Sequence, residues 1–188
     1  APQPMSKRPR TAVLPGARND IWAFGADDVG VSPTWVAANV ALFADPVVDC
    51  ATGLVLPLVL ETAAQETFEL YCQHRRDLRS HLYSSTVLPA SAAGVVGMGA
   101  NMAFRRDILR ALGGFDSRFG PGTRTRTGDE TDMFARTLDA GWAIASSPAA
   151  SVWHRHRRPP REVRPWRVGY GVRPCRVSQR NTRTGVVL

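Results

Sequence analysis

The segment "DIWAFGADDVG", residues 20–30, is the part of the sequence that most strongly indicates the fold. It begins with a short apolar run typical of a buried strand, and Asp27 and Asp28 follow that run directly. Open α/β sheets bind ligands at the carboxyl ends of their strands, so two carboxylates at this point suit a ligand or metal site. A solvated Asp-Asp turn is the competing interpretation.

Strand-like and helix-like segments alternate through the rest of the chain. The predicted elements are a helix over 32–46, a strand over 47–57, an amphipathic helix over 61–82, a strand and helix within 94–116, and a short strand pair over 142–154. This alternation predicts an α/β domain with a mainly parallel sheet.

The segment "GDETDMFART", residues 128–137, places three carboxylates in four positions. In one interpretation Thr127 caps a helix and Glu130 completes a capping box, because acidic groups are stabilised at the positive end of a helix. In the other, Asp129, Glu130 or Asp132 is presented at a cleft for proton abstraction or metal binding. Taken alone the motif favours the cap, although the two roles are compatible.

The charge of the chain is distributed unevenly. The 188 residues carry a net charge of +8, and 44% of them are hydrophobic, which suits a globular domain with a real core. Ten of the 24 basic residues but one of the 16 acidic residues follow residue 153, so the preceding part has a net charge of −1. A near-neutral body argues against a compact nucleic-acid reader, whereas the basic tail could bind phosphates or an anionic membrane surface.

The spacing of the cysteines and the composition of the N-terminal segment indicate the cellular compartment. Cys50, Cys72 and Cys175 are far apart and form no CxxC pair, which argues against a disulfide framework and fits a reducing environment. No apolar run approaches the roughly 18 residues of a membrane helix, and the basic start lacks the apolar core of a signal peptide. We expect a cytoplasmic protein that can reach the inner face of the membrane through its tail.

Six short motifs occur in an order that is similar to a known family. They are "AFGADDVGVSPTWV", "GLVLPLVLET", "GMGANMAFRRDILRALGGFD", "GPGT", "GDETDMFARTLDAG" and "SVWHRHRR". Together they resemble the second half of bacterial family 2 glycosyltransferases, which have the nucleotide-sugar-binding GT-A fold. The resemblance implies an incomplete GT-A domain over residues 19–158, between an irregular or disordered segment 1–18 and a basic, disordered tail 159–188.

The resemblance also implies a divalent metal, Mn²⁺ or Mg²⁺. In the family an acidic cluster at a strand end holds a metal that bridges the donor diphosphate and stabilises the leaving group. Asp28 and Asp27 match that cluster. His154 follows the last predicted strand, where related enzymes often place a histidine that contacts metal or diphosphate. A solely structural histidine is the alternative.

A general base is implied at the start of the carboxylate helix. In the family a Glu-Asp pair there deprotonates the acceptor hydroxyl, which attacks the anomeric carbon with inversion. Glu130 matches the catalytic acid and Asp129 the residue before it, so the pair is reversed in this chain. The extra methylene of glutamate could displace its oxygen by more than about 1 Å, a shift that affects rate strongly. Glu130 is the first choice and Asp129 the alternative.

Further positions are implied to bind the donor or acceptor, namely Asp27, Gly99, Asn101, Asp132 and Arg155. Asn101 follows a glycine-rich turn and could bond sugar hydroxyls, or it could simply be a turn residue. Arg155 could neutralise diphosphate, or it could begin the basic tail. The implied partners are a nucleotide-sugar donor and a carbohydrate or lipid-linked hydroxyl acceptor.

Two departures from the family pattern lower the expected activity. Only 26 residues precede Asp27, which is too few for the βαβ units that hold the nucleotide base in the family. Ala26 also stands where the acidic cluster often has a further Asp. We therefore expect weak donor binding, marginal stability and feeble activity. The rival hypothesis is a non-catalytic basic protein that binds nucleic acid or anionic lipid through residues 154–188.

Overall fold

The computed structural model describes residues 20–72 and 78–156, without the side chains of Tyr71 and Cys72. These residues form a mixed α/β domain with one six-stranded sheet. The predicted irregular start, 1–18, and the basic tail, 159–188, lie outside the described residues. Among the helices that the structure describes, none combines the length and apolar character needed to cross a membrane.

The sheet carries helices on both faces. Its strands are β1 (Ile21–Gly25), β2 (Val29–Val31), β3 (Val48–Pro57), β4 (His81–Tyr83), β5 (Asn101–Arg105) and β6 (Ala143–His154). The helices are α1 (Trp35–Leu42), α2 (Ala63–Cys72), α3 (Arg106–Ala111) and α4 (Asp129–Asp139), with a 3₁₀ helix at Ala90–Val95. The strand order is β1-β5-β3-β6-β2, and β4 also pairs with β6.

The predicted α/β class is confirmed, but the predicted strand directions are wrong. Among the described strands only β3 and β6 pair in parallel, and the other four pairings are antiparallel. Strand–helix alternation gives parallel strands only where each connection crosses back to the same side of the sheet. Here residues 84–100 return the chain to the side of the sheet where β1, β3 and β6 end. Strand β5 starts at that side and therefore runs in the opposite direction to those three strands. We call this side the carboxyl edge.

Two other predicted elements differ from the structure. The helix predicted over 61–82 does not reach Leu82, because His81–Tyr83 forms a strand whose partner is β6. The strand pair predicted over 142–154 is a single irregular strand whose register against β3 shifts twice. Both errors concern long-range pairing, which local periodicity does not report.

The core forms on the two faces of β5. Met102 and Phe104 point to one face, where they are fully buried with Met133 and Phe134 of α4. Ala103 points to the other face and packs in a separate cluster with residues that follow α1. Full burial of a methionine or phenylalanine side chain contributes about 1.5–3 kcal/mol to the stability of the folded state. The first cluster therefore fixes α4 against the sheet and thereby positions its N-terminal turn.

Close backbone packing holds β3, β5 and β6 together near the carboxyl edge. A Cβ atom on Gly53 would lie 1.9 Å from the carbonyl oxygen of Ala150, and one on Gly97 would lie 2.3 Å from Oγ1 of Thr52. The Thr52 hydroxyl donates to the carbonyl of Asn101 at 2.8 Å. Glycine is required at both positions because a side chain would collide with a neighbouring strand.

Candidate active site

Asp28 and His154 meet at the carboxyl edge of the sheet. Oδ1 of Asp28 lies 3.2 Å from Nε2 of His154, with 39% and 16% of the respective side chains exposed. The backbone fixes this contact, because Val29 pairs with His154 and the Arg155 amide donates to the Asp28 carbonyl at 2.9 Å. The structure therefore brings together two of the three predicted metal-binding residues.

The chemistry of this pair fits Mn²⁺ or Mg²⁺ as part of a coordination sphere that water or substrate phosphate completes. Asp27 lies exposed in the same turn. In the described ranges, no three or more His, Cys, Asp or Glu side chains group into a metal centre. Mg²⁺ is commonly held by one or two protein carboxylates together with substrate phosphates and water. One carboxylate and one imidazole at an accessible edge therefore suit a cation that also binds a diphosphate.

Helix α4 begins one residue later than predicted. Gly128 is its N-cap in the left-handed conformation, with φ of +89°, and its carbonyl accepts from the Asp132 amide at 2.9 Å. The predicted capping box on Thr127 is therefore wrong, because Glu130 lies at the second helical position rather than the third.

Asp129 and Glu130 lie in the first turn of α4, and both are largely buried. The loop before the helix covers Asp129, since a Cβ atom on Gly120 would lie 3.1 Å from its carboxyl carbon. Two carboxylates at a helix N-terminus benefit from the positive end of the helix dipole. The first turn of α4 thus holds two carboxylates in a region that excludes much of the water.

The first turn of α4 also lies beside the segment that leads to the carboxyl edge. Thr131 is 4.0 Å from the position of a Cβ atom on Gly94, in the 3₁₀ helix. Residues 96–100 then continue from that helix to β5, whose first residue, Asn101, pairs with Gly25 just before the Asp27–Asp28 turn. Topology thus directs the α4 carboxylates and the Asp28–His154 pair toward the same side of the sheet.

The contacts of Asp132 give it a structural role. Its carboxylate forms an ion pair with Arg136 at 2.8 Å, and Arg136 also donates to the carbonyls of Leu112 and Gly114. Burial raises the pKa of Asp132, and the charge and hydrogen bond of Arg136 oppose that rise. Asp132 therefore ties α4 to the turn after α3, which does not support the predicted role in donor or acceptor binding.

The environment of Asn101 argues against its predicted role in binding the donor or acceptor. Its side chain is fully buried, receives a hydrogen bond from the Trp35 indole at 2.9 Å, and donates to the carbonyls of Ala150 and Leu54 at 2.7 and 3.1 Å. These bonds occupy both ends of the amide, so none of it faces a cleft. Gly99 is likewise buried in the turn before β5.

Arg155 is better placed for the predicted role. Its side chain is exposed, and its backbone amide donates to the Asp28 carbonyl, so the residue lies next to the Asp28–His154 pair. A charge there suits an anionic ligand. Arg157 and Arg158, which follow it, lie outside the described residues.

Neither Glu69 nor His156 was among the residues predicted for the site. Nδ1 of His154 lies 3.2 Å from Nδ1 of His156, and Nε2 of His156 lies 2.7 Å from Oε2 of Glu69. The His-Arg-His spacing is a local signal for His156. Nothing local signals Glu69, which is 87 residues away in the chain.

No family model matches the chain. Curated relatives do. The chain is 28% identical over 167 residues to the pre-mycofactocin glycosyltransferase of Mycobacterium tuberculosis, in the sequences of strains CDC 1551 / Oshkosh and ATCC 25618 / H37Rv. These relatives of the chain are glycosyltransferases. The match covers 87% of the chain and 33% of each relative, so the chain spans about a third of their length.

A solved structure shares the fold. The mannosyltransferase PcManGT from Pyrobaculum calidifontis, in complex with GDP-Man and Mn²⁺, superposes with a TM-score of 0.61 at 18% identity. The match covers 94% of this chain and 43% of that protein. The mixed α/β fold is therefore of the GT-A-like glycosyltransferase type, as the motif order implied.

Proposed function

We propose that this chain carries the metal-binding and acceptor-activating part of a family 2 type glycosyltransferase. The reaction transfers a sugar from a nucleotide-diphospho-sugar to a hydroxyl acceptor with inversion. The observation that carries this proposal is the 3.2 Å contact of Asp28 with His154 at the carboxyl edge. The structural neighbour's complex with GDP-Man and Mn²⁺ supports the choice of donor class and cation.

Asp28 and His154, with Asp27 beside them, would hold Mn²⁺ or Mg²⁺. The metal would neutralise the negative charge that develops on the diphosphate leaving group. Asp28 contributes a carboxylate oxygen and His154 contributes a ring nitrogen, while Arg155 offers its charge to the remaining phosphate oxygens. These roles need no proton transfer at the leaving group.

Glu130 or Asp129 would act as the general base. The carboxylate takes the proton of the acceptor hydroxyl, the acceptor oxygen forms a bond to the anomeric carbon, and the bond from that carbon to the diphosphate oxygen breaks. The attack comes from the side opposite the leaving group, so configuration inverts. Both carboxylates are largely buried, and the loop at Gly120 covers Asp129, so either base is shielded from bulk water, which supports this role.

The relatives suggest which substrates to test first. GDP-mannose is the first donor, because the structural neighbour binds it. The names of the curated relatives make pre-mycofactocin the first acceptor to test, within a wider class of carbohydrate or lipid-linked hydroxyls.

The test is donor turnover by the full 188-residue chain. GDP-, UDP- and dTDP-sugars are incubated with Mn²⁺ and an acceptor, and released nucleotide and glycosylated product are quantified. Asp28→Asn and His154→Ala should each lower turnover at least about 100-fold, since each removes a metal ligand. Asp107→Asn, at an exposed position of α3, is the matched control. Turnover that persists with EDTA and in Asp28→Asn contradicts the proposal.

A further inference from the structure

The loop of residues 118–128, which leads into α4, is held by its own hydrogen bonds. The Thr123 hydroxyl donates to the Gly120 carbonyl at 2.8 Å, and the Thr125 hydroxyl donates to the Arg118 carbonyl at 3.1 Å. Both threonines are half-buried, whereas the two arginines that alternate with them are exposed. The loop therefore presents two arginine side chains on a framework that its threonines fix.

The backbone at one of these arginines, Arg126, is strained. Its φ is +58°, and within the described part of the chain it is the only residue other than glycine in the left-handed region. At the other loop positions with this conformation the chain has glycine, namely Gly120, Gly122 and Gly128. A side chain in this region costs free energy that glycine avoids. Strained residues of this kind cluster at active sites and ligand clamps, so we expect the arginine side chain to supply a contact that glycine cannot.

The guanidinium groups of this loop are available to a ligand. Among the residues that the structure describes, the side chains of Arg124 and Arg126 make no hydrogen bond or ion pair. By contrast, Arg118 at the start of the loop is paired with Asp116. A guanidinium is always charged in proteins, and its planar fork of N–H donors matches the oxygens of a phosphate or carboxylate. The loop thus carries two cationic groups that suit an anion.

The position of these cations beside the α4 carboxylates gives them a use. Arg126 precedes Asp129 by three residues, and a Cβ atom on Gly120 would lie 3.1 Å from the Asp129 carboxyl carbon. Asp129 and Glu130 are both largely buried. A substrate with a negative charge is repelled by carboxylates that it approaches. Two cations on the covering loop offset that repulsion and give the anionic group a place apart from the carboxylates.

We propose that Arg124 and Arg126 bind an anionic group, a phosphate or a carboxylate, on the acceptor substrate. The inference rests on the proposed function, which assigns the start of α4 to the acceptor. The same proposal assigns Asp28, His154 and Arg155 to the donor diphosphate, so the loop serves the other substrate. Bidentate arginine contacts add geometric specificity as well as affinity. They hold the charged part of the acceptor at the loop while its hydroxyl reaches the base.

Simple solvation is the competing explanation, in which both arginines are surface charges without a ligand. Only one of the 24 basic residues of the chain is a lysine, so arginine is its usual surface cation. The two explanations differ for Arg126→Gly. This substitution relieves the backbone strain, so the thermal midpoint should stay equal or rise under either explanation. Only the binding role predicts that the stable variant loses an anion site.

The experiment titrates the full chain with inorganic phosphate and follows the arginine Nε–H resonances by ¹H–¹⁵N NMR. The resonances of Arg124 and Arg126 should shift together and saturate. Arg124→Gln and Arg126→Gly should each weaken phosphate binding at least about 10-fold, since each removes one charged hydrogen-bonding group. Arg110→Gln, at an exposed position of α3, is the charge-matched control and should leave phosphate affinity unchanged. Shifts that do not saturate, or wild-type phosphate affinity in both loop variants, overturn the anion site.

A second titration distinguishes the two sources of the anion. Phosphate is added again with GDP and Mg²⁺ present at saturation. An unchanged phosphate affinity means that both anions bind at once, which supports the acceptor. Loss of phosphate binding means that the loop holds the donor diphosphate, which overturns the assignment to the acceptor. If the chain binds phosphate at the loop but no GDP, the anion site stands and the donor site of the proposed function is wrong, so the two ideas fail separately.

Discussion

Oδ1 of Asp28 lies 3.2 Å from Nε2 of His154, across the first residue pair of the β2–β6 ladder. Two backbone features support this contact, the pairing of Val29 with His154 and the bond from the Arg155 amide to the Asp28 carbonyl. The separation therefore depends on strand register as well as on side-chain rotamers. A carboxylate and an imidazole fixed in this way would serve as a prearranged pair of ligands for the proposed cation.

Asn101→Ala should destabilise the domain by about 2–5 kcal/mol. The substitution removes three hydrogen bonds, two of them buried, and leaves the Trp35 indole and two carbonyls without their partner. Each such loss costs about 1–3 kcal/mol before relaxation. Urea unfolding monitored by tryptophan fluorescence measures the change. A variant with unchanged stability but weakened donor binding would restore the sugar-binding role that the burial of Asn101 argues against.

Gly53→Ala should be far more destabilising than Gly30→Ala. A Cβ atom on Gly53 would meet the Ala150 carbonyl at 1.9 Å, whereas one on Gly30 has no atom within 4 Å. Forcing atoms into a packed site costs about 1–3 kcal/mol or more, so Gly53→Ala should lower the thermal midpoint by several degrees. The Gly30→Ala variant serves as the matched strand control. Equal midpoints for the two variants would show that β6 does not pack on β3 as described.

The pH dependence of stability should contain a contribution from Asp132. Burial raises the pKa of this carboxyl in the folded state, so the folded protein binds its proton more readily than the unfolded chain does. The free-energy cost of burying ionised Asp132 is present at pH values above its raised pKa. This cost is removed as the pH falls toward about 3.9, the pKa of the same carboxyl in the unfolded chain. Wild type should therefore gain free energy of unfolding relative to Asp132→Asn as the pH falls from 7 to 4. Urea titrations at several pH values measure the difference between the two free energies of unfolding. A gain of wild type over Asp132→Asn toward high pH would contradict the prediction.

Removal of the proposed base should abolish transfer without affecting metal binding. Glu130→Gln or Asp129→Asn should lower the turnover number about 10²–10⁴-fold, the usual contribution of a general base. The variant with the larger loss identifies which carboxylate takes the proton. Mn²⁺ affinity, measured in parallel, should stay at the wild-type value. Turnover that survives in the double variant would exclude both residues as the base.

The sequence predicted those elements whose formation depends on local pattern. The strand at Ile21–Gly25 follows from its apolar run, and the start of α4 follows from its cluster of carboxylates, with an error of one residue at its cap. Strand direction could not be predicted, because it depends on the path of residues 84–100. His81–Tyr83 was misassigned to a helix because its β structure arises from pairing with β6.

The same distinction applies to the candidate site. The proximity of Asp28 and His154 could be predicted, because each adjoins a predicted strand end and the family resemblance implied a histidine at the second of them. Their role as metal ligands stays a prediction. Asn101 was misinterpreted because its bonds to Trp35, Leu54 and Ala150 are all long-range. Glu69 has no local signal at all. The cytoplasmic location, the membrane contact of the tail and the weak donor binding stay predictions.

The most direct test of the account is a titration of the full chain with Mn²⁺ alone, followed by electron paramagnetic resonance. Wild type and Asp107→Asn should show the same saturable binding of one equivalent, and both Asp28→Asn and His154→Ala should lose it. Equal Mn²⁺ affinity in all four proteins would contradict a cation site built on the contact between Asp28 and His154.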